Sequence, residues 1–132
     1  MTIERKKEIA LTLIERKIQI TFNEPNSTES KRAAKTMAPR TGINHLEIHR
    51  FHNAIINKNV ERSFDSSRAL DIALALMKAT IEGEGRLPNS KLRGQMSSFA
   101  NEASISFNEL LEFCREIYID IINDVLRPQS QA

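Results

Sequence analysis

The sequence predicts an all-α protein, a compact bundle of five or six helices. Apolar residues recur three and four positions apart along most of the chain, which places them on one face of a helix. Aromatic residues are scarce, with six Phe, one Tyr and no Trp among 132 residues, so Ile, Leu, Ala and Met must form most of the core. A chain of this length forms one core. We therefore expect residues 1–132 to form a single helical domain, with short connections that make neighbouring helices antiparallel.

The first predicted helix covers residues 2–22. Its apolar residues share one face: Ile9, Ala10, Leu13, Ile14 and Ile18. Apolar and polar residues alternate from Ile18 to Phe22, which leaves a short strand as the alternative. A lone strand has no evident partner elsewhere in the sequence. A helix through the whole segment is therefore the better prediction.

Two shorter helices follow a loop of turn-forming residues. Ser27 or Thr28 is a suitable N-cap for a second helix over residues 28–38, because a hydroxyl can accept a hydrogen bond from a free backbone N–H. Pro39 should interrupt that helix, since proline has no N–H to donate. The third helix is expected over residues 43–59.

The fourth helix, residues 65–83, is apolar around most of its circumference, as expected for a helix enclosed by others. We place it at the centre of the bundle. A loop over residues 84–89 leads to a fifth helix over residues 92–103, which Gly94 should weaken.

The last helix has the clearest start. Ser106 and Glu109 have the spacing of a capping box, in which each side chain bonds the other residue's backbone N–H. The helix should cover residues 106–127 and form the core pair with the fourth helix. Residues 128–132 follow Pro128 and should fray.

Composition excludes several protein classes. No apolar run approaches the ~20 residues of a membrane span, and the N-terminus is charged instead of forming an apolar signal region. The lone Cys114 has no second cysteine with which to form an internal disulfide. We therefore expect a cytoplasmic protein without a membrane partner. Phosphate-binding glycine loops, HExxH zinc motifs and Ser or Cys nucleophile motifs are missing, so we predict neither a cofactor nor an enzyme.

Positive charge is concentrated in the first half of the chain. Lys and Arg outnumber Asp and Glu by 12 to 7 over residues 1–63, but are outnumbered by 10 to 7 over residues 64–132. Residues 31–62 hold seven basic residues, two acidic ones and all three histidines. Such a segment attracts polyanions, including DNA and RNA, although many solvated helix faces have a similar composition.

Within this basic segment, residues 34–51 resemble a helix-turn-helix. In that motif a small residue lets two helices approach, a glycine turns the chain, and apolar residues dock the second helix. Four residues stand at the corresponding positions: Ala38, Gly42, Ile48 and Phe51. Pro39 departs from the pattern because it falls inside the motif's first helix. Two packed helices joined by an ordinary turn are the alternative.

The resemblance implies that the second helix of the motif enters the major groove of DNA. Asn and Arg suit this role because each can make paired hydrogen bonds to adenine or guanine. The implied base-reading residues are Asn44, His45, His49 and Arg50. The implied phosphate contacts are Lys31, Arg32, Lys35 and Arg40.

Two further hypotheses concern the same segment. The spacing of His45, His49 and His52 would suit imidazole ligands of a transition metal on one side of a helix. The alternative is that His45 and His52 flank the buried face while His49 is exposed. Separately, Arg40 and His45 resemble the catalytic pair of the helical HEPN ribonucleases in their spacing. That resemblance implies proton transfer by the histidine, but Thr41 departs from the family's usual polar residue after the arginine.

The alternative function is a helical protein-interaction module, such as an immunity, adaptor or accessory subunit, that binds no nucleic acid. It predicts an apolar patch larger than a lone bundle can bury. Phe113 and Ile119 lie off the main apolar face of the last helix and are the candidates for that patch. A homodimer is open under either function.

Overall fold

A computed structural model describes residues 1–83 and 90–126, and for residues 90–93 and 125–126 it describes the helical backbone alone. These residues contain seven helices and no strand, which confirms the all-α fold. The helices are α1 (Ile3–Thr21), α2 (Thr28–Thr41), α3 (His45–Ile56), α4 (Val60–Ser63), α5 (Ser66–Gly83), α6 (Ser90–Glu102) and α7 (Phe107–Leu126). The count exceeds the expected five or six because α4, a single turn, is too short to show a periodic apolar pattern. The predicted loop at 84–89 and the tail at 128–132 lie outside the described residues.

Helix α1 is continuous from Ile3 to Thr21, so the alternative of a strand near Phe22 is wrong. The hydroxyl of Thr2 accepts a hydrogen bond from the backbone N–H of Arg5 at 3.1 Å and fixes the start of the helix. The predicted apolar face is buried, with Ile9 fully inaccessible to solvent.

Helix α2 continues through Pro39 to Thr41, so the expected interruption at Pro39 is wrong. Pro39 is exposed, and water can therefore bond the Lys35 carbonyl that lacks an N–H partner within the helix. Ser27 caps the start of α2 as predicted, since its Oγ accepts from the Ser30 N–H at 3.1 Å.

Helix α3 is shorter than the predicted 43–59. Ile43 belongs to the turn, where it is buried, and Asn44 caps the helix. At the other end, Lys58 has a φ of 57°, which is incompatible with a continued right-handed helix.

Helix α5 lies at the centre of the bundle, where it contacts α1, α2 and α7. Its most extensive contact is with α1, so the expected core pair of α5 and α7 is replaced by α1 and α5. Ala69 and Ala73 are buried on α5, and their small side chains permit close approach of a neighbouring helix. Ile72 and Met77 fill the space beside them.

Helix α7 is held by both apolar and charged contacts. Among its residues up to Asp124, whose side chains the structure describes, four are buried: Leu110, Phe113, Ile117 and Ile121. Phe113 is fully buried, so its assignment to an exposed patch is wrong, whereas Ile119 is 47% exposed. On a second side of the helix, Arg5 binds Glu109 and Lys6 binds Asp120, and both basic residues belong to α1.

None of the helices in the part of the chain that the structure describes combines the length and the apolar character needed to cross a bilayer.

Candidate nucleic-acid interface

The connection between α2 and α3 is a three-residue turn, Gly42 to Asn44. Gly42 has a φ of 72°, and its N–H donates to the Ala38 carbonyl at 2.9 Å. No atom would obstruct a Cβ at this position, so glycine is required there by backbone conformation and not by space. Asn44 then starts α3, because its Oδ1 accepts from the Leu46 N–H at 2.8 Å. The turn is therefore fixed by backbone and capping bonds.

The inner side of α3 docks against the bundle through the residues that the motif resemblance named. Ile48 and Phe51 are fully buried, and Ala38 of α2 is half-buried against the same core. Ala34, one turn earlier on α2, is also fully buried. The small side chains of α2 thus allow α3 to pack close to it, and the outer side of α3 is left at the surface.

A groove of about 240 Å³ runs between α2 and the outer side of α3. Lys31 and Lys35 line it from α2, and His45, Leu46 and His49 line it from α3. Both lysines are exposed, and Leu46 is 67% exposed. The walls of the groove are therefore almost entirely apolar, formed by Leu46 and by the aliphatic stems of the two lysines, whose charged ends are exposed.

A polar cluster, which we call the Ser30 cluster, closes one end of the α2–α3 interface. Its members are Asn26, Ser30, His49, His52 and Asn53. Ser30 Oγ lies 3.0 Å from His52 Nδ1 and 3.4 Å from His49 Nδ1. Asn53 Nδ2 donates to Asn26 Oδ1 at 3.0 Å, and the Asn26 N–H donates to Asn53 Oδ1 at 2.9 Å. These bonds join the loop before α2 to the outer side of α3.

The two histidines of the Ser30 cluster resist protonation. Burial, together with the nearby charge of His49, lowers the pKa of His52 to about 4. The His52 ring also stacks on Phe22, with 5.0 Å between ring centroids. Partial burial and the charge of Lys31 lower the pKa of His49. Both rings are therefore neutral at pH 7.

The alternative to metal binding expected His52 to flank the buried face of α3. His52 instead lies within that face, because its ring is almost completely buried. His49 is half-buried instead of exposed. Within residues 1–83 and 90–126, no group of three or more His, Cys, Asp or Glu side chains is placed to hold a metal ion.

The predicted site residues outside the groove have different surroundings. Arg50 is exposed on α3, where its guanidinium carbon lies 4.4 Å from the centroid of the Phe64 ring. Arg40 reaches the end of α5, since a Cβ built on Gly83 would lie 2.7 Å from Arg40 Nη1. Arg32 is exposed on α2 but does not line the groove. Arg40 and His45, the pair that resembles a ribonuclease site, thus lie in different environments.

The structure therefore brings together four of the eight predicted site residues: Lys31, Lys35, His45 and His49. Sequence reasoning missed Leu46, although an apolar residue between polar ones at the start of a helix is a usable signal of an exposed contact. It also missed Ser30 and Asn26, whose role depends on contacts with α3 that no local pattern reveals. Comparison with protein-family models, with curated proteins and with solved structures gave no match.

Proposed function

We propose that the chain binds double-stranded DNA with the outer side of α3, which enters the major groove. The observation that carries the proposal is the groove in which Lys31 and Lys35 flank the exposed start of α3. A protein helix fits a major groove ~12 Å wide, and lysines beside it can neutralise the phosphates of the adjacent strand. The rigid turn at Gly42 holds α3 in a fixed orientation for this contact.

Each side chain has a proposed role that follows from its chemistry. Lys31 and Lys35 bind phosphate, while His45 contacts a base edge through a ring nitrogen. Leu46 provides an apolar surface of the kind that contacts the methyl group of thymine. Arg50 offers its remaining donors to guanine from its position over Phe64. The Asn44 amide nitrogen stays available for a base while Oδ1 caps α3.

The proposal also covers the two remaining predicted phosphate contacts, the need for a cofactor or catalytic residue, and the location of the protein. Arg32, exposed on α2, binds a phosphate farther along the backbone, whereas Arg40 lies at the end of α5 and is left out. The proposed activity needs no cofactor and no catalytic residue. A cytoplasmic location, which the lone Cys114 favours, belongs to the same proposal.

The test measures binding of a fluorescent duplex by anisotropy over a range of salt concentrations. For the wild type we expect the logarithm of affinity to fall linearly with the logarithm of salt concentration. The double variant K31A/K35A should reduce that slope by about two, because each lost phosphate contact reduces it by about one. The matched control is R62A, which removes an exposed positive charge on α4, outside the groove.

Base reading requires a second measurement, since phosphate contacts carry no sequence information. Selection from a random duplex library should yield a preferred sequence, and L46A or H45A should relax that preference by about 1–3 kcal/mol per contacted base pair. An RNA duplex should bind more weakly because its deep major groove does not admit α3. Lack of DNA binding at low salt, or equal effects of R62A and K31A/K35A, would overturn the proposal.

A further inference from the structure

Helix α7 has a second apolar face, next to the side that packs in the bundle. Phe107 is 64% exposed, Leu111 is 41% exposed and Ile119 is 47% exposed. Tyr118 and Ile122 are partly exposed. Phe107, Leu111, Tyr118 and Ile122 are four or seven positions apart and so lie along one side of the helix, with Ile119 at the edge of that side. We call this surface the outer face of α7.

The outer face of α7 contains more exposed apolar side chains than the single, scattered ones that are common on protein surfaces. It contains three of the six large hydrophobic side chains that are exposed in the described chain. It extends over most of a 20-residue helix, which is about 30 Å long. An apolar strip of this length on one element indicates a contact with another molecule.

The order of residues along the outer face identifies the occupant. Phe107 lies near one end and Ile122 near the other, Leu111 and Tyr118 lie between them, and Arg115 is close to the midpoint. A twofold rotation about this midpoint places Phe107 of one copy opposite Ile122 of the other, and Leu111 opposite Tyr118. We infer that α7 packs antiparallel against α7 of a second copy of this chain, in an isologous contact around Arg115.

Charge on α7 is compatible with this pairing. The helix carries five carboxylates, but four of them are bound by basic side chains of the same copy. These ion pairs are Glu109 with Arg5, Glu116 with Lys6, Asp120 with Lys6, and Asp124 with Lys78. Most of the negative charge that would make two α7 helices repel is therefore neutralised within each copy.

The remaining charged residues complete the contact between copies. Arg115 is the one basic residue of α7, and it has no ion pair with any residue that the structure describes. Glu112 bonds the Met1 amine through Oε1 at 3.0 Å, and its side chain is still 50% exposed. In the antiparallel pair, Arg115 of each copy lies two positions, or about 3 Å along the helix axis, from Glu112 of the other. Two symmetric ion pairs then flank the apolar contacts.

The size of the face predicts a dimer of moderate affinity. Stable interfaces bury about 800 Å² per partner, and one helix face reaches that area only with the side chains along its edges. We therefore expect a reversible dimer that forms as the protein concentration rises. This inference does not depend on DNA binding, since it concerns the free protein and a different helix.

Sedimentation equilibrium measures the association directly. The wild type should approach twice the chain mass of 15.0 kDa as its concentration rises. L111E and I119E should each weaken association at least about tenfold, because each buries a carboxylate in the apolar contact. The matched control is I20E, which adds the same charge at a position on α1 that is 60% exposed, and it should dimerise like the wild type.

A charge exchange tests the geometry of the contact between copies. R115E and E112R should each weaken the dimer, and the double variant R115E/E112R should restore it at least in part, because the ion pairs between copies are re-formed with opposite sign. Circular dichroism checks that every variant is folded. A wild type that remains monomeric at about 1 mM overturns the inference. Equal effects of L111E and I20E, or a double variant weaker than both single variants, also overturn it.

Discussion

Ser30 Oγ lies 3.0 Å from Nδ1 of His52, inside the interface between α2 and α3. Both side chains are buried, Ser30 completely and His52 to all but 4%. A buried ring nitrogen that loses its partner incurs the cost of desolvation without a compensating bond. The contact is thus the polar counterpart of the apolar docking by Ile48 and Phe51.

Replacement of Ser30 by alanine should destabilise the fold by about 1–3 kcal/mol, because His52 Nδ1 would lose its bond in a buried site. Urea unfolding monitored by circular dichroism measures the change. Thr36→Ala is the control, since it removes an exposed hydroxyl of the same helix that bonds only the Arg32 carbonyl, and it should change stability by less than about 0.5 kcal/mol. Similar losses for the two variants would contradict the assigned role of Ser30.

Stability should fall as the pH is lowered below neutrality. The pKa of His52 is about 4 in the folded protein, against an ordinary value of about 6.5 in the unfolded chain. The unfolded state therefore binds a proton that the folded state excludes, and the stability present above pH 6.5 is lost progressively toward pH 4. The loss from His52 should reach about 2 kcal/mol between pH 7 and pH 5.

His52→Gln removes the titrating ring while keeping groups that can bond Ser30, so the loss between pH 7 and pH 5 should become smaller. His49 adds a loss of the same sign, because its pKa is also lowered, and some dependence should therefore remain. Urea unfolding at each pH gives the comparison. An unchanged pH dependence in His52→Gln would show that another group is responsible.

The same substitution should have opposite effects at two glycines. Gly42→Ala should cost about 1 kcal/mol, because alanine is strained at a φ of 72°. Gly94→Ala should stabilise by about 0.5–1 kcal/mol, since Gly94 lies inside α6 and no atom would meet its Cβ. Thermal unfolding compares the two. A loss of stability at Gly94 would contradict the open surroundings of that residue.

The start of α7 should depend on Ser106. Its Oγ accepts from the Glu109 N–H at 3.1 Å, so Ser106→Ala should cost about 1 kcal/mol. Ser106→Asp should retain most of the stability, because a carboxylate also caps a helix and favours its positive end. Chemical unfolding of the three proteins provides the test. Equal stability of Ser106→Ala and the wild type would show that α7 starts without this cap.

Helix starts were the most predictable part of the fold, because they depend on residues close together in the chain. Ser27 and Ser106 both cap the helices for which they were proposed. The capping box at α7 is a partial exception, since the carboxylate of Glu109 accepts two bonds from the guanidinium of Arg5, more than a hundred residues away. The local spacing identified Ser106 as the cap. It could not show that Arg5, far away in the sequence, binds the carboxylate of Glu109.

The predictions for Phe113 and Pro39 were wrong because the sequence pattern around each residue is compatible with two structures. Helix α7 is apolar on two sides, and sequence alone does not determine which side packs, so Phe113 was assigned to the wrong one. Pro39 was expected to end α2 because a missing N–H usually does so, but Pro39 lies at the surface, where the carbonyl that loses its partner can bond water. Whether a carbonyl reaches water is a property of the folded chain.

The sequence predicted which segment of the chain holds the candidate site, but not which side chains of that segment share a surface. Lys31 and Lys35 are four residues apart on α2 and line one groove with His45. Arg40 belongs to the same helix but reaches the end of α5. Successive residues of a helix point about 100° apart around its axis. A count of charges along a segment therefore cannot tell which side chains point toward the groove and which point elsewhere.

The outer side of α3 separates the residues of the proposed DNA contact from the residues that position the helix. Gly42, Ile48 and Phe51 maintain the position of the helix, whereas His45 and Leu46 carry little of the packing. Substitutions at His45 and Leu46 should therefore change the DNA contact that we propose while the fold that positions α3 is kept.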